Sequence, residues 1–371
     1  MLKVVIPCYD EPDALATIKS LWACNRGDFA VEIVVVINSY NFSAQPIVEQ
    51  NRLTYSELTA FAAENNSADF YLTVFNYENL PGHQTGAGIP RKIGMDYAAD
   101  KFFGLNCPNG IIAATDADAL FDSNYLQEIY RNFTEKSLKS ATIHFHHPTE
   151  HLSINDPIRI STESYEEYLH YFRAALQFIA FPYPYYTIGS CFAVTADTYR
   201  KVGGMGRQQA GEDFYFLHKV FPLGKTDFID TTCVYPAARI SYRVPFGTGP
   251  EIGKMIEKGE LHKKSYQAEA FEQIRKFIVL CESFYDKNSD FAEQEINNLP
   301  DYFKVFLEKE YFTEKIAEIK RYTTNFQSYR KRFFSYFNAL KIIQLLNVMH
   351  VSQYKLSEVR IEYPKMLAMF K

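Results

Sequence analysis

The chain opens on "LKVVIP" (2–7), a short β-branched apolar run closed by a proline. Such a run predicts a buried strand. "DEPDALATIKSLW" follows. Asp10 is placed to cap a helix, Pro12 suits its first turn, and Leu15, Ile18, Leu21 and Trp22 share one helical face. "VEIVVVI" (31–37) predicts a second buried strand. Residues 46–64 read as a helix, 70–75 as a strand and 89–103 as a helix. "GIIAAT" (110–115) predicts a fourth strand. "DSNYLQEIYRNF" then sets Leu126, Ile129, Tyr130 and Phe133 at helical spacing behind a cap at Asp122 or Ser123. Strands alternating with helices predict βαβ units, a mostly parallel sheet and the α/β class.

Residues 141–250 are mixed, with Pro and Gly scattered through them. After about residue 255 both become rare, and Lys, Glu, Phe, Tyr and Leu dominate. "AFEQIRKFIVLCESFY" and "NALKIIQLLNVM" read as helices. We therefore expect a main domain over 1–254 and a helical C-terminal region over 255–371. The total of 371 residues agrees, since a single core stops growing near ~250–300 residues.

Composition mostly excludes. A net charge of −5 does not favour nucleic acid as a partner. The six cysteines form no CxxC pair, so neither a zinc ribbon nor a redox motif is expected. No apolar run approaches the ~18 residues of a membrane span, and "MLKVVIPCYD" lacks the form of a signal peptide. A cytoplasmic location is expected. One segment qualifies this. "SYRKRFFSYFNALKIIQLL" (328–346) joins Arg330, Lys331 and Arg332 to many aromatics. It is a candidate for peripheral membrane contact through the C-terminal helices, or a helix packing its aromatics onto the rest of the protein.

Five constellations could carry chemistry. "ATDADALFD" places Asp116 and Asp118 just past the fourth strand, where ligands bind in parallel sheets. Two carboxylates at ~4 Å repel by roughly 4 kcal/mol at an intermediate dielectric, and a hard divalent cation would offset this. A solvated strand end is the plainer account. "GEDFYFLHKV" opens on Glu212 and Asp213, which suit a first helical turn or a general base. "GHQTGAGIPRKIGMD" (82–96) lacks both GxGxxG and GK[ST], but brings Arg91 and Lys92 to a helix start, where phosphate binds well. "HFHHPTEH" offers His144, His146, His147 and His151 without HExxH. "ARISYRVPFGTGPEI" alternates Arg239, Ser241 and Arg243 before a Gly-rich turn, either a loop closing on phosphates or a hairpin exit.

Taken in order, "VVIPCYDEPDAL", "ATDADALFDSNYL", "GSCFAVTADTYRKVGGM" and "GEDFYFLHKV" resemble the successive motifs of family 2 glycosyltransferases. The resemblance covers about residues 1–250. It implies a GT-A fold: a Rossmann-like, mostly parallel sheet flanked by helices, here with a C-terminal helical extension. It implies transfer of a sugar from a nucleotide-diphosphate sugar donor to a carbohydrate or lipid-linked acceptor, with Mn²⁺ or Mg²⁺ as cofactor. Pro7, Tyr9 and Glu11 fall where the family contacts the nucleoside. Asp116 and Asp118 fall on the metal-binding DxD, Arg91 on a basic helix-opening position with Lys92 beside it, and Asp213 on the catalytic base with Glu212 beside it. Two departures stand out. Asn38-Ser39-Tyr40 replaces the usual Asp-Asp-Gly-Ser that helps read the base, and Asp10 replaces a commoner Asn. The QxxRW motif of processive synthases is absent, so single transfers are expected. The alternatives are a silent nucleotide- or sugar-binding protein of the same fold, and a nucleotidyltransferase. The latter would carry a Gly-rich loop where this chain reads "PCYDEP".

Overall fold

The computed structural model describes residues 1–81, 86–206, 211–243 and 247–371. Strand β1 (Leu2–Cys8) is buried along its whole length, as its apolar run requires. It lies between two parallel neighbours, β2 (Val31–Tyr40) and β4 (Ile111–Ala114). Helices α1 (Ala14–Trp22), α2 (Gln45–Asn65) and α3 (Gly88–Gly104) and strand β3 (Phe70–Leu80) complete the first half. The second half adds β5 (Ala119–Phe121), α4 (Tyr125–Glu135), β6 (Ser140–Phe145), α5 (Pro157–Phe178) and β7 (Phe192–Thr195). It closes with α6 (Ala196–Lys201), α7 (Glu212–Val220), β8 (Thr226–Pro236) and α8 (Thr248–Glu257).

The eight strands form one sheet in the order β3-β2-β1-β4-β7-β6-β8-β5. The β3-β2-β1-β4 side is parallel throughout, a Rossmann-like half. Beyond it β7 runs antiparallel between β4 and β6, β8 is parallel to β6, and the short edge strand β5 is antiparallel to β8. This is the α/β arrangement expected, a largely parallel sheet flanked by helices and followed by a helical C-terminal region.

Register fixes where the strands end together. Cys8 pairs with Ile37, and Val5 with Ala114. The residues that follow β1, those at the end of β2 and those after β4 therefore share one edge of the sheet. Helix α3 is drawn against that sheet by Gly94. A Cβ there would meet Val5 Cγ1 at 2.5 Å and Val36 Cγ2 at 3.2 Å, so only glycine allows this approach.

Two expected caps differ. Helix α1 starts at Ala14 with Asp13 at the N-cap position, and Asp10 takes a left-handed backbone, φ 51°. The Asp13 N–H is instead accepted by Glu11 Oε1 at 3.1 Å. Neither Asp122 nor Ser123 caps α4, whose N-cap position is Asn124. The Asp122 carboxylate accepts the Cys233 N–H and the Tyr235 hydroxyl, both at 2.9 Å, and so ties the β5 edge to β8.

The sheet also buries a charge pair. Lys3 and Glu32 face each other across β1 and β2, each 1% exposed, and form an ion pair. Glu32 accepts further hydrogen bonds from Thr73 at 2.7 Å and Tyr97 at 2.9 Å. These added donors satisfy a carboxylate that burial would otherwise destabilise.

The chain divides into two compact units: Met1–Glu163 with Tyr185–Gly259, and Ser164–Pro184 with Glu260–Lys371. The second unit is helical, built from most of α5 and the helices from α9 (Ala268–Ser283) to α15 (Val359–Ala368), with one short antiparallel strand pair. Its core is aromatic-rich, with Phe271, Phe277, Phe303 and Phe312 fully or almost fully buried. In the 328–346 segment Tyr329, Phe333, Phe334 and Phe337 point into this core, while Lys331 and Arg332 are exposed. Arg330 donates from Nε to Glu282 at 2.6 Å. Among the described residues no helix is long and apolar enough to cross a membrane.

Candidate active site

The shared strand edge gathers five carboxylates and three guanidinium groups. Glu11 follows β1, and Asp116 and Asp118 follow β4. Glu212 and Asp213 open α7, Arg91 lies in the first turn of α3, and Arg239 and Arg243 follow β8. When all are ionised the group carries an excess of two negative charges.

Arg91 joins one side of this group. Only 3% exposed, it donates from Nη2 to Asp116 Oδ1 at 2.6 Å and from Nη1 to Glu212. Burial alone would lower its pKa, but the charges of Glu212, Asp116 and Asp213 outweigh this and raise it. Its guanidinium lies against Gly189, where a Cβ would stand 2.9 Å from Nη2. The glycine in "IGSCFAV" thus makes room for the arginine. Glu11 anchors the other side. Its side chain is 2% exposed, yet its pKa is lowered, because hydrogen bonds from Arg239 and Arg243 overcome the effect of burial. Arg239 Nη2 is shared between Glu11 and Asp118 Oδ2, the latter at 2.6 Å.

Two carboxyls are strongly perturbed. Burial and the neighbouring Asp116 charge push Asp118 up to about 6, against the pull of Arg239. Burial and Glu212 likewise push half-buried Asp213 up to about 6. Its Oδ1 accepts the Phe214 N–H at 2.7 Å, which fixes its rotamer. A carboxyl near pH 6 in a site of convergent charges is suited to proton transfer at neutral pH.

Among the described residues no three His, Cys, Asp or Glu side chains are grouped to hold a metal ion unaided. Asp116 and Asp118 nonetheless offer hard oxygen donors in a site with excess negative charge. That suits Mg²⁺ or Mn²⁺, which commonly take one or two carboxylates and complete their shell with substrate phosphates and water.

No protein-family model matches the chain, and no curated protein sequence does either. Solved structures do align with it. The chain is similar to S. aureus TarS. The TarS 1–349 fragment in complex with UDP-GlcNAc aligns over 91% of this chain and 90% of that one, at 14% identity and a TM-score of 0.44. The same fragment with UDP aligns over 90% of each chain, at 15% identity and 0.43.

Not every residue singled out in the sequence joins the cluster. Lys92 pairs with Asp96 one turn along α3, at 2.7 Å. Pro7 is buried in β1, and Tyr9 is half-buried with its hydroxyl 3.3 Å from Ser43 Oγ. Asn38 is fully buried at the end of β2. His146 pairs with Glu150 at 2.9 Å, and among the described residues no histidine of the 144–151 group belongs to a metal cluster. Residues 82–85 and 244–246 of the quoted loops lie outside the described residues, as do 207–210 before α7.

Sequence reasoning missed two residues that shape the site from behind. Asn51 donates to the Asn38 carbonyl at 2.7 Å and accepts the Asp10 N–H at 2.9 Å, joining the ends of β1 and β2. Thr54, three residues along the same helix, donates to the Glu11 carbonyl at 3.1 Å. The only signal is two polar residues in the buried stripe 51-54-58 of α2.

Proposed function

We propose that this protein is a family 2-type glycosyltransferase that moves a sugar from a nucleotide-diphosphate sugar to an acceptor hydroxyl. The observation that carries this reading is Asp213. Its carboxyl is raised to about 6 and stands beside the Glu212–Arg91–Asp116 bridge, at the carboxyl edge of the sheet. In the ionised form it takes the proton from the acceptor hydroxyl as that oxygen attacks the anomeric carbon. Arg91 holds Glu212 and Asp116 in fixed geometry. Arg239 and Arg243 supply preorganised positive charge toward the leaving diphosphate. Asp116 and Asp118 would hold a divalent cation, which when bound supplies Lewis-acid charge to that diphosphate. One general base without a covalent nucleophile fits inversion at the anomeric carbon. The acceptor is a carbohydrate or a lipid-linked molecule, and each encounter transfers one sugar.

Donor turnover of wild type, Asp118→Ala and Asp213→Asn, each with and without Mn²⁺, tests the assignment. Both variants are expected to lose at least ~10²-fold, in line with removal of a positioned base or a metal ligand. Unchanged turnover in both would overturn it.

A further inference from the structure

We propose that Arg239 is a built-in counter-ion that occupies the cation's place at Asp118 and makes divalent-cation and nucleoside-diphosphate binding interdependent. This rests on the donor-site reading above. Arg239 Nη2 is shared between the Glu11 carboxylate and Asp118 Oδ2. The two acids are unequally supported. Glu11 also receives Arg243 Nη1 at 2.5 Å, so it keeps a guanidinium when Arg239 moves. Among the described residues Arg239 is the only guanidinium paired with Asp118. Arg239 can therefore leave without stranding a buried charge at Glu11, while Asp118 then needs another cation.

Arg239 is also incompletely satisfied where it stands. Its Nε is buried with no hydrogen-bond partner. Buried donors are normally paired, and an orphan at a binding site calls for an acceptor supplied by something else. A diphosphate offers such acceptors in the planar geometry that a guanidinium prefers. A bare divalent ion approaching Asp118 meets Arg239 first and is repelled. A diphosphate arriving with the ion draws Arg239 onto its own oxygens and opens the carboxylate. Each ligand then favours the other by the same factor, because coupling between sites is reciprocal.

Isothermal titration of MnCl₂ into wild type, Arg239→Gln and Arg239→Lys, alone and with saturating UDP, tests this. Wild type should bind Mn²⁺ weakly alone and more tightly with UDP, within the coupling range of about 5–150-fold. Arg239→Gln should bind Mn²⁺ alone at least about 5-fold tighter than wild type and show a UDP effect smaller by about the same factor, what remains being the phosphates' own place in the metal's shell. Arg239→Lys keeps the charge but not the planar fork, so it should bind Mn²⁺ alone about as weakly as wild type while its UDP effect shrinks. Equal Mn²⁺ affinity in wild type and Arg239→Gln overturns the proposal. If Arg239→Gln fails to fold by circular dichroism, wild type alone decides: Mn²⁺ bound as tightly without UDP as with it overturns the proposal. UDP and GDP both failing to bind any form would count against the nucleotide-sugar reading, while the comparison of Mn²⁺ alone would still judge Arg239.

Discussion

Replacing Asp213 by Asn should cut turnover at least ~10²-fold and stabilise the fold at the same time. The carboxyl is raised from 3.8 to about 6, so the folded protein holds its proton more tightly than the unfolded chain. Above pH 6 the folded state must keep the group charged against its environment. At 1.36 kcal/mol per unit the penalty approaches about 3 kcal/mol at pH 8, falls to roughly half that near pH 5, and is below about 1 kcal/mol at pH 4. Asparagine is nearly the same shape, carries no charge, and keeps an oxygen to accept the Phe214 N–H. It should recover part of the penalty, on the order of 1–3 kcal/mol at pH 8, or about 2–10 °C in melting temperature for a domain of this size. The gain should shrink steadily as pH falls from 7 to 4. Wild-type turnover should show the mirror image, rising through pH 6 as Asp213 ionises and then levelling. Scanning calorimetry of both proteins at pH 4, 5, 6, 7 and 8 is the assay. A variant that is less stable than wild type at pH 8, or more stable by a pH-independent margin, refutes the reasoning.

Further substitutions probe how the site is held. Gly94→Ala puts a Cβ 2.5 Å from Val5 Cγ1, a side chain locked in the sheet. It should cost about 1–3 kcal/mol in urea unfolding. Gly189→Ala presses on an Arg91 guanidinium already pinned by two acids. It should impair donor turnover at least tenfold (about 1.4 kcal/mol of barrier) while leaving the far-UV spectrum unchanged. Lys3→Met leaves Glu32 buried beside three neutral hydroxyls, those of Tyr71, Thr73 and Tyr97, and should cost about 3–5 kcal/mol. Lys3→Met with Glu32→Gln should recover much of that, and failure to recover it would mean the pair is not what stabilises this part of the sheet.

The parallel half of the sheet was legible because its strands are dominated by apolar residues, mostly β-branched, and alternate with longer polar stretches of helical length. The stretch 141–250 was not. Its strands β6 and β7 are short, and β7 runs antiparallel. The pairings that define them join residues far apart in sequence. The second unit draws Ser164–Pro184 from the middle of the chain, and no composition shift marks that segment. At the site, residue types foretold which acids and arginines would gather, but not which would pair with which. Arg239 meets Glu11 across 228 positions, and Glu212 meets Arg91 across 121. Asp122 shows the same limit on a smaller scale. A carboxylate before a helix is expected to cap it, yet strand β8 passes close enough to claim it.

Asp10 carries one last consequence. Its backbone is left-handed, and its N–H is held by Asn51. Among residues with a side chain, Asn and Asp tolerate that conformation best. The Asp found here therefore satisfies a demand of chain direction. The polypeptide must turn sharply after β1 so that Glu11 faces the arginines. Asparagine or glycine at position 10 should be nearly silent, whereas valine, harmless to any ligand's charge, should displace Glu11. A polar residue at the lip of a binding cleft can owe its identity to the bend in the road rather than to the traffic.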